Sequence, residues 1–234
     1  MQPLAHPTPT SGLLPRRVAW FVAVVHAGGL VGMLLPPTRT YFVALTPLSL
    51  LFTAAVLVWF HVWSPRAASS FEAALRRPSR AFWVFAAGTF AAGWSVEWLG
   101  VHTGWIFGDY AYGGTLGLKV DGIPLMIGVN WFILVYAVGT LLHRLPWPNV
   151  ARAALGATVM TALDVLIEPT AIAYDYWAWA GGAVPLRNYV GWWAVAFALL
   201  LWFGRTRFPK GNPLAGPVLA AQAGFFLLHA LLGP

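Results

Sequence analysis

The sequence predicts an all-α, polytopic integral membrane protein, a helical bundle of about seven transmembrane helices. Of its 234 residues, 59% are hydrophobic and only 9% are charged, whereas soluble domains carry about 25% charged residues. The apolar residues fall into long runs, each near the ~20 residues that a membrane-spanning helix needs. A soluble core of this length cannot cover so much apolar surface, whereas a bilayer can.

Proline and glycine mark the breaks between the apolar runs, as at Pro36–Pro37 and Pro146. Residues 1–15 are rich in Pro, Thr and Ser and are expected to form a disordered N-terminal tail. Residues 16–234 are expected to form a single transmembrane domain. The predicted spans are 17–35, 41–63, 80–100, 123–143, 150–168, 190–207 and 212–231.

The basic residues predict the orientation of the chain in the membrane. If the N-terminus and the even-numbered loops share one side, that side carries eleven Lys and Arg residues and the other carries three. The positive-inside rule then predicts a cytoplasmic N-terminus for a multi-pass protein of the inner (plasma) membrane. Topology thus accounts for the net charge of +7 without nucleic acid. The larger set is Arg16, Arg17, Arg66, Arg76, Arg77, Arg80, Arg144, Arg152, Arg205, Arg207 and Lys210, and the smaller is Arg39, Lys119 and Arg187.

Six of the seven carboxylates are predicted to lie near the non-cytoplasmic face, and three of these belong to spans: Glu97, Asp164 and Glu168. Asp164 and Glu168 are four residues apart, so a helix places them on one face, with Thr161 one turn earlier. Two acids so close and shielded from water do not both ionise easily, so the pair is expected to keep one proton near neutral pH.

Acids within membrane spans are costly and usually functional, which makes Glu97, Asp164 and Glu168 the candidate catalytic residues. The alternative is that these side chains only reach interfacial water or accept hydrogen bonds from Trp, Tyr or Arg187. Asn130, in the fourth span, either bonds between helices or faces a site. The remaining outer acids, which turns favour, are expected to structure the loops; they are Asp109, Asp121 and Asp175.

The two long outer loops, 101–122 and 174–193, are rich in Trp, Tyr and Gly. An aromatic belt at the membrane interface accounts for most of these Trp and Tyr residues. Glycine also permits tightly turned backbone, and aromatic faces can stabilise a cation. An apolar pocket with aromatic walls and a protonated acid suits carbocation chemistry on an alkene.

Four segments of the chain carry a resemblance to a known family. They are WSVEWLGVHTGWIFGDYAY (94–112), GIPLMIGVNWF (122–132), MTALDVLIEP (160–169) and YWAW…VPLRNYVGW (176–192). Together and in this order, they resemble the CruF-type carotenoid 1,2-hydratases of carotenoid biosynthesis. The family has Asp before the proline of the third segment, whereas this chain has Glu168.

The resemblance implies that water is added across the terminal C1–C2 double bond of a linear (ψ) carotenoid end group, which gives a tertiary alcohol at C1. Family substrates include lycopene-like and γ-carotene-like ends, and bisanhydrobacterioruberin in haloarchaea. No metal and no redox cofactor is implied. The expected partners are a carotenoid, water and membrane lipid, with other carotenoid-pathway enzymes as further candidates and no nucleic acid.

Hydration of such an alkene begins with protonation of C2 and ends with capture of the C1 cation by water. We expect one of Asp164 and Glu168 to donate the proton and Glu97 to orient or activate the water, with the roles exchangeable. The candidates for shielding the cation are Trp105, Tyr110, Tyr112 and Trp131. The full set of candidate substrate-binding residues is Trp94, Trp105, Tyr110, Tyr112, Asn130, Trp131, Thr161, Asn188 and Trp192.

Four other functions remain as alternatives. A carotenoid cyclase starts from a similar protonation but excludes water, and sequence alone separates it poorly from a hydratase. A membrane prenyltransferase needs basic residues for a diphosphate, and the acidic end has few. A retinal-binding receptor needs a Lys in its last span, which is missing, because Lys119 and Lys210 are in loops. A transporter usually has internal repeats, and none is visible.

The predicted topology can be tested with a reporter enzyme that is active only outside the cytoplasm. Seven spans and a cytoplasmic N-terminus put the C-terminus on the outer side. We therefore expect a C-terminal fusion to be active and an N-terminal fusion to be inactive. Equal activity of the two fusions would contradict an odd number of spans.

Overall fold

The computed structural model describes residues 13–62 and 79–233, and this part of the chain folds into eight helices and four short strands. The prediction of an all-α membrane bundle is confirmed. The helices are α1 (Leu13–Leu34), α2 (Arg39–Ala44), α3 (Thr46–Val62), α4 (Arg80–Thr103), α5 (Leu125–Leu142), α6 (Asn149–Ala173), α7 (Leu186–Arg205) and α8 (Ala215–Leu232). The strands are β1 (Tyr110–Tyr112), β2 (Lys119–Val120), β3 (Ile123–Pro124) and β4 (Trp177–Trp179).

Among the described residues, five helices are long and apolar enough to cross a membrane: α1, α5, α6, α7 and α8. Helix α3 is apolar but has only 17 residues. Helix α4 has 24 residues, but Glu97 and several Gly and Trp residues lower its hydropathy. Five apolar helices indicate a membrane protein, whereas the number seven stays a prediction.

Two of the sequence predictions concern residues that the structure does not describe. Most of the N-terminal tail predicted for 1–15 lies outside the described residues, and α1 already begins at Leu13. The loop that carries Arg66, Arg76 and Arg77, on which the orientation partly depends, also lies outside them.

Helix α5 is the centre of the bundle. It packs against α3, α4, α6, α7 and α8, and every residue from Trp131 to Thr140 is buried. A helix that is apolar all round is stable only when its neighbours cover every face. The central position of α5 therefore follows from its sequence, and it brings Trp131 into contact with the helices that carry the acids.

Proline residues set the start of three helices. Pro124, Pro148 and Pro185 directly precede α5, α6 and α7, each with extended backbone. Proline lacks a backbone N–H, which costs nothing at a helix start because the first amides have no partner within the helix. Helix α4 begins differently, since the Ser79 hydroxyl accepts a hydrogen bond from the amide of Phe82 at 3.3 Å.

The fifth predicted span, 150–168, stops just before Pro169, but the helix does not end there. Helix α6 continues through Pro169 to Ala173, and both Thr170 and Ala171 are buried. Proline removes one hydrogen bond within the helix. Here the packing of the last turn against its neighbours outweighs that loss, so Glu168 lies inside the helix and not at its end.

The outer loops form two small antiparallel sheets. Strands β2 and β3 make a hairpin whose two-residue turn is Asp121–Gly122, both with positive φ. An Asp-Gly pair is typical of this turn, because both central residues must adopt left-handed backbone. Strands β1 and β4 pair across a long stretch of chain, with Tyr110 opposite Trp179 and Tyr112 opposite Trp177.

A close approach between α4 and α5 depends on Gly93. A Cβ atom built at Gly93 would lie 2.5 Å from Cβ and Cγ of Trp131. Only glycine at position 93, one turn before Glu97, therefore allows the side chain of Trp131 to pack directly against the backbone of α4.

We expect Gly93→Ala to destabilise the protein by about 1–3 kcal/mol, because the two helices must separate to admit the methyl group. The control is Gly28→Ala in α1, where a Cβ atom meets nothing within 4 Å. That change should be neutral or stabilise the protein by up to about 1 kcal/mol, since alanine favours helix. Unfolding midpoints in detergent measure both, and equal effects would contradict the packing argument.

Candidate active site

The three acids of the predicted site lie together at one end of the bundle. Glu97 is near the C-terminal end of α4, and Asp164 and Glu168 are near the C-terminal end of α6. Their exposed fractions are 3%, 0% and 3%. Within residues 13–62 and 79–233, none of the three makes a salt bridge; Arg187 donates instead to the carbonyl oxygen of Gly104.

Glu97 accepts hydrogen bonds from three neutral side chains. The hydroxyls of Tyr110 and Tyr112 donate to its Oε2 at 2.6 and 2.7 Å. The indole N–H of Trp131 donates to its Oε1 at 3.0 Å. Both carboxyl oxygens thus have partners, although the group is buried among apolar residues.

Glu168 has a similar shell. The indole N–H groups of Trp177 and Trp179 donate to its Oε2 at 2.9 and 3.0 Å. The amide of Asn188 donates to its Oε1 at 3.3 Å. Indole and amide N–H groups can only donate. Oε2 accepts two such hydrogen bonds and Oε1 accepts only one, so Oε1 is the oxygen with room for the proton of a neutral Glu168.

Asp164 is the least solvated of the three acids. Its Oδ2 accepts a hydrogen bond from the amide nitrogen of Asn188 at 2.8 Å. Its Oδ1 is buried and has no hydrogen-bond partner among the described residues. The same amide nitrogen of Asn188 therefore links Asp164 and Glu168.

The β1–β4 ladder supplies four of the donors to the two glutamates. Side chains alternate between the faces of a strand, so Tyr110 and Tyr112 point the same way, and the register aligns them with Trp179 and Trp177. The intervening residues, Ala111 and Ala178, are exposed. One face of a two-stranded ladder thus covers the acids with aromatic donors.

The aromatic rings around the acids also pack against one another. The rings of Trp131 and Trp192 stack with centroids 4.4 Å apart, which joins α5 to α7. Tyr110 and Trp179 lie 5.0 Å apart across the ladder. These ring contacts help to hold the donors in position around the acids.

A small cavity lies between the two glutamates. Its volume is ≈ 10 Å³, close to the least that a single water molecule needs. Asp164 does not line it, since it lies behind Asn188. The lining residues are Glu97, Tyr110, Tyr112, Ile127, Glu168, Trp177, Trp179, Asn188 and Trp192.

A much larger apolar cavity of ≈ 180 Å³ adjoins the small one. Residues of α1, α3, α5, α6 and α8 contribute to its wall. Ile127 and Trp177 line both cavities, so these two side chains form the partition between them. The acids are thus next to a space that can hold an apolar chain.

Five of the nine candidate substrate-binding residues lie beside the acids: Tyr110, Tyr112, Trp131, Asn188 and Trp192. The other four candidates lie away from the acids. Trp94 donates to the carbonyl oxygen of Ile123 at 3.4 Å, Trp105 is 78% exposed, Asn130 lines the large cavity, and the buried hydroxyl of Thr161 has no partner in the described part of the chain.

Two residues of this cluster, Trp177 and Trp179, are not among the candidates that the sequence predicts. Both donate to Glu168, and both line the small cavity. The alternation YAY at 110–112 and WAW at 177–179 is the signal that would have indicated two strands with aromatic faces.

Two of the three loop acids, Asp121 and Asp175, lie in turns and accept hydrogen bonds there. Asp121 and Asp175 both adopt positive φ in turns. Asp121 accepts a hydrogen bond from the indole of Trp98 at 2.6 Å, and Asp175 accepts one from the amide of Gly114 at 2.7 Å. Across the described ranges, no three His, Asp or Glu side chains are placed to share a metal ion.

The two site tyrosines, which lie outside the helices, keep their protons to high pH. Burial raises the pKa of the Tyr110 hydroxyl, and the negative charges of Glu97 and Glu168 raise it further. Burial raises the pKa of Tyr112 as well, again with a contribution from Glu97. Both hydroxyls therefore stay available as donors to Glu97.

These shifts predict a loss of stability at alkaline pH. Below pH ~10 both tyrosines are protonated in the folded and the unfolded chain. Above pH ~10 the unfolded chain releases the two tyrosine protons, whereas the folded chain retains them. The free energy of unfolding therefore falls by about 1.4 kcal/mol per pH unit for each tyrosine. Urea unfolding in detergent at several pH values measures the slope. The Tyr110→Phe/Tyr112→Phe variant should have a shallower slope, and an unchanged slope would contradict the assignment.

Comparison with known proteins adds a family to this geometry. A family model described as carotenoid biosynthesis protein matches residues 46–223. The chain is also similar to a bisanhydrobacterioruberin hydratase of Haloarcula japonica, with 34% identity over 108 residues. That alignment covers 42% of this chain and 36% of the relative, so the chain matches little more than a third of the relative's length. No solved structure matches the chain significantly. Because the family model spans well over half of the sequence, the chain belongs to the carotenoid biosynthesis protein family.

Proposed function

We propose that the protein is a carotenoid hydratase, which adds water across the terminal C1–C2 double bond of a linear carotenoid end group. The observation that carries the proposal is the pair of glutamates, Glu97 and Glu168, on the wall of one water-sized cavity. Acid-catalysed hydration needs a proton donor, a base and one water molecule held between them. The family and the name of the haloarchaeal relative support the same chemistry.

The substrate would enter from the large cavity. A carotenoid end group is apolar, and that cavity of ≈ 180 Å³ has mostly apolar walls. Its partition from the acids consists of Ile127 and Trp177. A modest movement of these side chains would admit the terminal double bond to the acids, while the polyene extends toward the bilayer.

The proton comes from the Asp164/Glu168 pair. The pair has no cation partner in the described residues, and two buried carboxylates linked through Asn188 are expected to share one proton. Glu168 is the member that lines the cavity, so it delivers the proton to C2 of the alkene. Asp164 does not line the cavity, so its proposed role is indirect: it is the second carboxylate of the pair that shares the proton.

Glu97 holds the water and acts as the base. As C2 gains the proton, the π electrons form the new C–H bond and leave a tertiary cation at C1. The water oxygen bonds to C1, and Glu97 takes a proton from it. The cycle closes when that proton returns from Glu97 to the Asp164/Glu168 pair across the cavity.

Aromatic faces would stabilise the cation before water reaches it. The indole of Trp192, which stacks on Trp131, and the ring of Tyr110 line the cavity. A cation near such faces gains about 0.5–2 kcal/mol from each favourable contact. Trp105, which is exposed, has no part in this shell.

The proposal extends to the location of the protein. The chain would cross the inner (plasma) membrane several times, with a cytoplasmic N-terminus and the acids near the non-cytoplasmic face. Lycopene-like and γ-carotene-like molecules are the proposed substrates, with membrane lipid around the bundle and other carotenoid-pathway enzymes as candidate partners.

A carotenoid cyclase is the second candidate, because it begins with the same protonation. The cavity between the glutamates favours hydration, since a cyclase must keep water away from the cation. Product mass separates the two reactions, because hydration adds one water and cyclisation leaves the mass unchanged.

Amide variants of the acids test the mechanism in a host that makes lycopene or γ-carotene. We expect Glu97→Gln and Glu168→Gln each to reduce conversion by about 10²-fold or more, since each removes one partner of the proton transfer. Asp164→Asn should also lower conversion, because the shared proton loses one site. Extracted pigments are separated by chromatography according to polarity, and their masses are measured by mass spectrometry.

The matched control is Asp121→Asn, since Asp121 lies in a turn and does not line the cavity. This variant should keep the conversion of the unmodified protein. Full activity in both Asp164→Asn and Glu97→Gln would refute the mechanism, and a pigment of unchanged mass with a closed ring would identify a cyclase.

A further inference from the structure

Basic side chains from three parts of the chain converge at the end of the bundle opposite the acids. Helices α5 and α7 end here, and α6 begins here. His143 directly follows α5, Arg152 is the fourth residue of α6, and Lys210 lies in the loop between α7 and α8. These three side chains are called the basic cluster below.

The buried ring of Phe203 connects the members of the basic cluster. Lys210 Nζ lies over this ring, 5.2 Å from its centroid. Phe203 also lines a small cavity of ≈ 10 Å³ together with His143 and Arg152. Arg152 donates from Nη1 to the carbonyl oxygen of His143 at 3.1 Å, and the same nitrogen is 3.4 Å from Nδ1 of the His143 ring. The three side chains are therefore neighbours in space.

The basic cluster has hydrogen-bond donors that no other described residue uses. An arginine side chain can only donate, so Nδ1 of His143 accepts from Arg152 and the ring proton is on Nε2. Within residues 13–62 and 79–233, this Nε2–H has no partner, and neither have Nε and Nη2 of Arg152. Lys210 donates to the carbonyl oxygen of Thr206 at 2.6 Å, which uses one of its three N–H groups.

No carboxylate balances these charges in the described part of the chain. The salt bridge found there joins His102 to Asp121, at the other end of the bundle. Asp164 follows Arg152 by twelve residues on α6, which is about 18 Å along a helix. Burial lowers the pKa of Lys210, which lies in a loop, and the positive charge of Arg152 lowers it further. An anion held between the two side chains would remove this repulsion.

We propose that the basic cluster binds the phosphate group of an anionic phospholipid. Arginine binds phosphate oxygens through paired N–H groups, and lysine binds them as a point charge. The free N–H of the His143 ring adds a neutral donor. This binding site is separate from the proposed active site, and the inference does not depend on the proposed function.

Exposed apolar side chains beside the basic cluster favour a lipid over a soluble phosphate. Trp147, in the loop between α5 and α6, is 46% exposed, and Val150, in the first turn of α6, is 57% exposed. A phospholipid joins its phosphate to acyl chains that cover such a surface, whereas a soluble phosphate does not. Three of the apolar helices that are long enough to cross a membrane have an end here, which puts the cluster at the level of the headgroups.

Titration of the full chain in detergent with two lipids of identical acyl chains tests the proposal. Phosphatidylglycerol carries a net negative charge, and phosphatidylcholine carries none. Native mass spectrometry counts the lipids bound at each concentration. We expect the unmodified protein to bind phosphatidylglycerol about tenfold more tightly than phosphatidylcholine, and Arg152→Gln/Lys210→Gln to lose most of this preference. Equal affinity for the two lipids in the unmodified protein would contradict the proposal.

The matched control is Arg16→Gln/Arg17→Gln, which removes two exposed cations near the start of α1, on the same predicted face. This variant should keep the preference. An equal loss in both double variants would mean that only the general charge of this face attracts the lipid, and would overturn the proposal. Since Arg152→Gln also removes a hydrogen bond to His143, Lys210→Gln alone is the second variant and should lower the preference about threefold or more.

Two further measurements identify the occupant of the basic cluster. Glycerol phosphate, the soluble part of the headgroup, should not displace phosphatidylglycerol at equal concentration, and displacement would refute the assignment to a lipid. Glu72 lies outside the described residues, and Glu72→Gln tests whether the chain's own carboxylate occupies the cluster. That variant should have the preference of the unmodified protein, and a preference found only in Glu72→Gln would overturn the proposal.

Discussion

The burial of three carboxylates without a cation partner in the described residues is the constraint on which the rest of the structure depends. Leaving a buried charge unpaired costs several kcal/mol, so each acid needs donors from elsewhere in the fold. Glu97 and Glu168 each accept three hydrogen bonds from neutral side chains. Helices α5 and α7 and both strands of the β1–β4 ladder must converge to supply them.

Neutral donors have a chemical consequence. An Arg or Lys partner would hold a carboxylate in its ionised form, whereas O–H and N–H groups leave it able to take up and release a proton. For Glu97, one donor is placed by aromatic packing, since Trp131 packs over Gly93 and stacks on Trp192. The neutral donors that stabilise the buried carboxyl group of Glu97 therefore also leave it able to exchange a proton.

Under the proposed function, the two cavities would serve different requirements of hydrating an alkene. A tertiary cation reacts with any water it meets, so bulk water must be excluded while one molecule is held in place. The cavity between the glutamates has room for about one water, and the apolar cavity beside it has room for a chain end. Because Ile127 and Trp177 belong to both walls, a movement of these two side chains would be enough to join the two cavities.

The sequence by itself determined the membrane-bundle class and assigned Glu97, Asp164 and Glu168 to helices, because hydropathy and helical spacing are local properties. Tertiary structure decided that Glu97 and Glu168 share a cavity while Asp164 lies behind Asn188. It also identified Trp177 and Trp179 as donors, left Trp105 in solvent or lipid contact, and carried α6 through Pro169. The physical reason is that strand pairing and helix packing join residues far apart in the chain, and no local pattern specifies which of them meet.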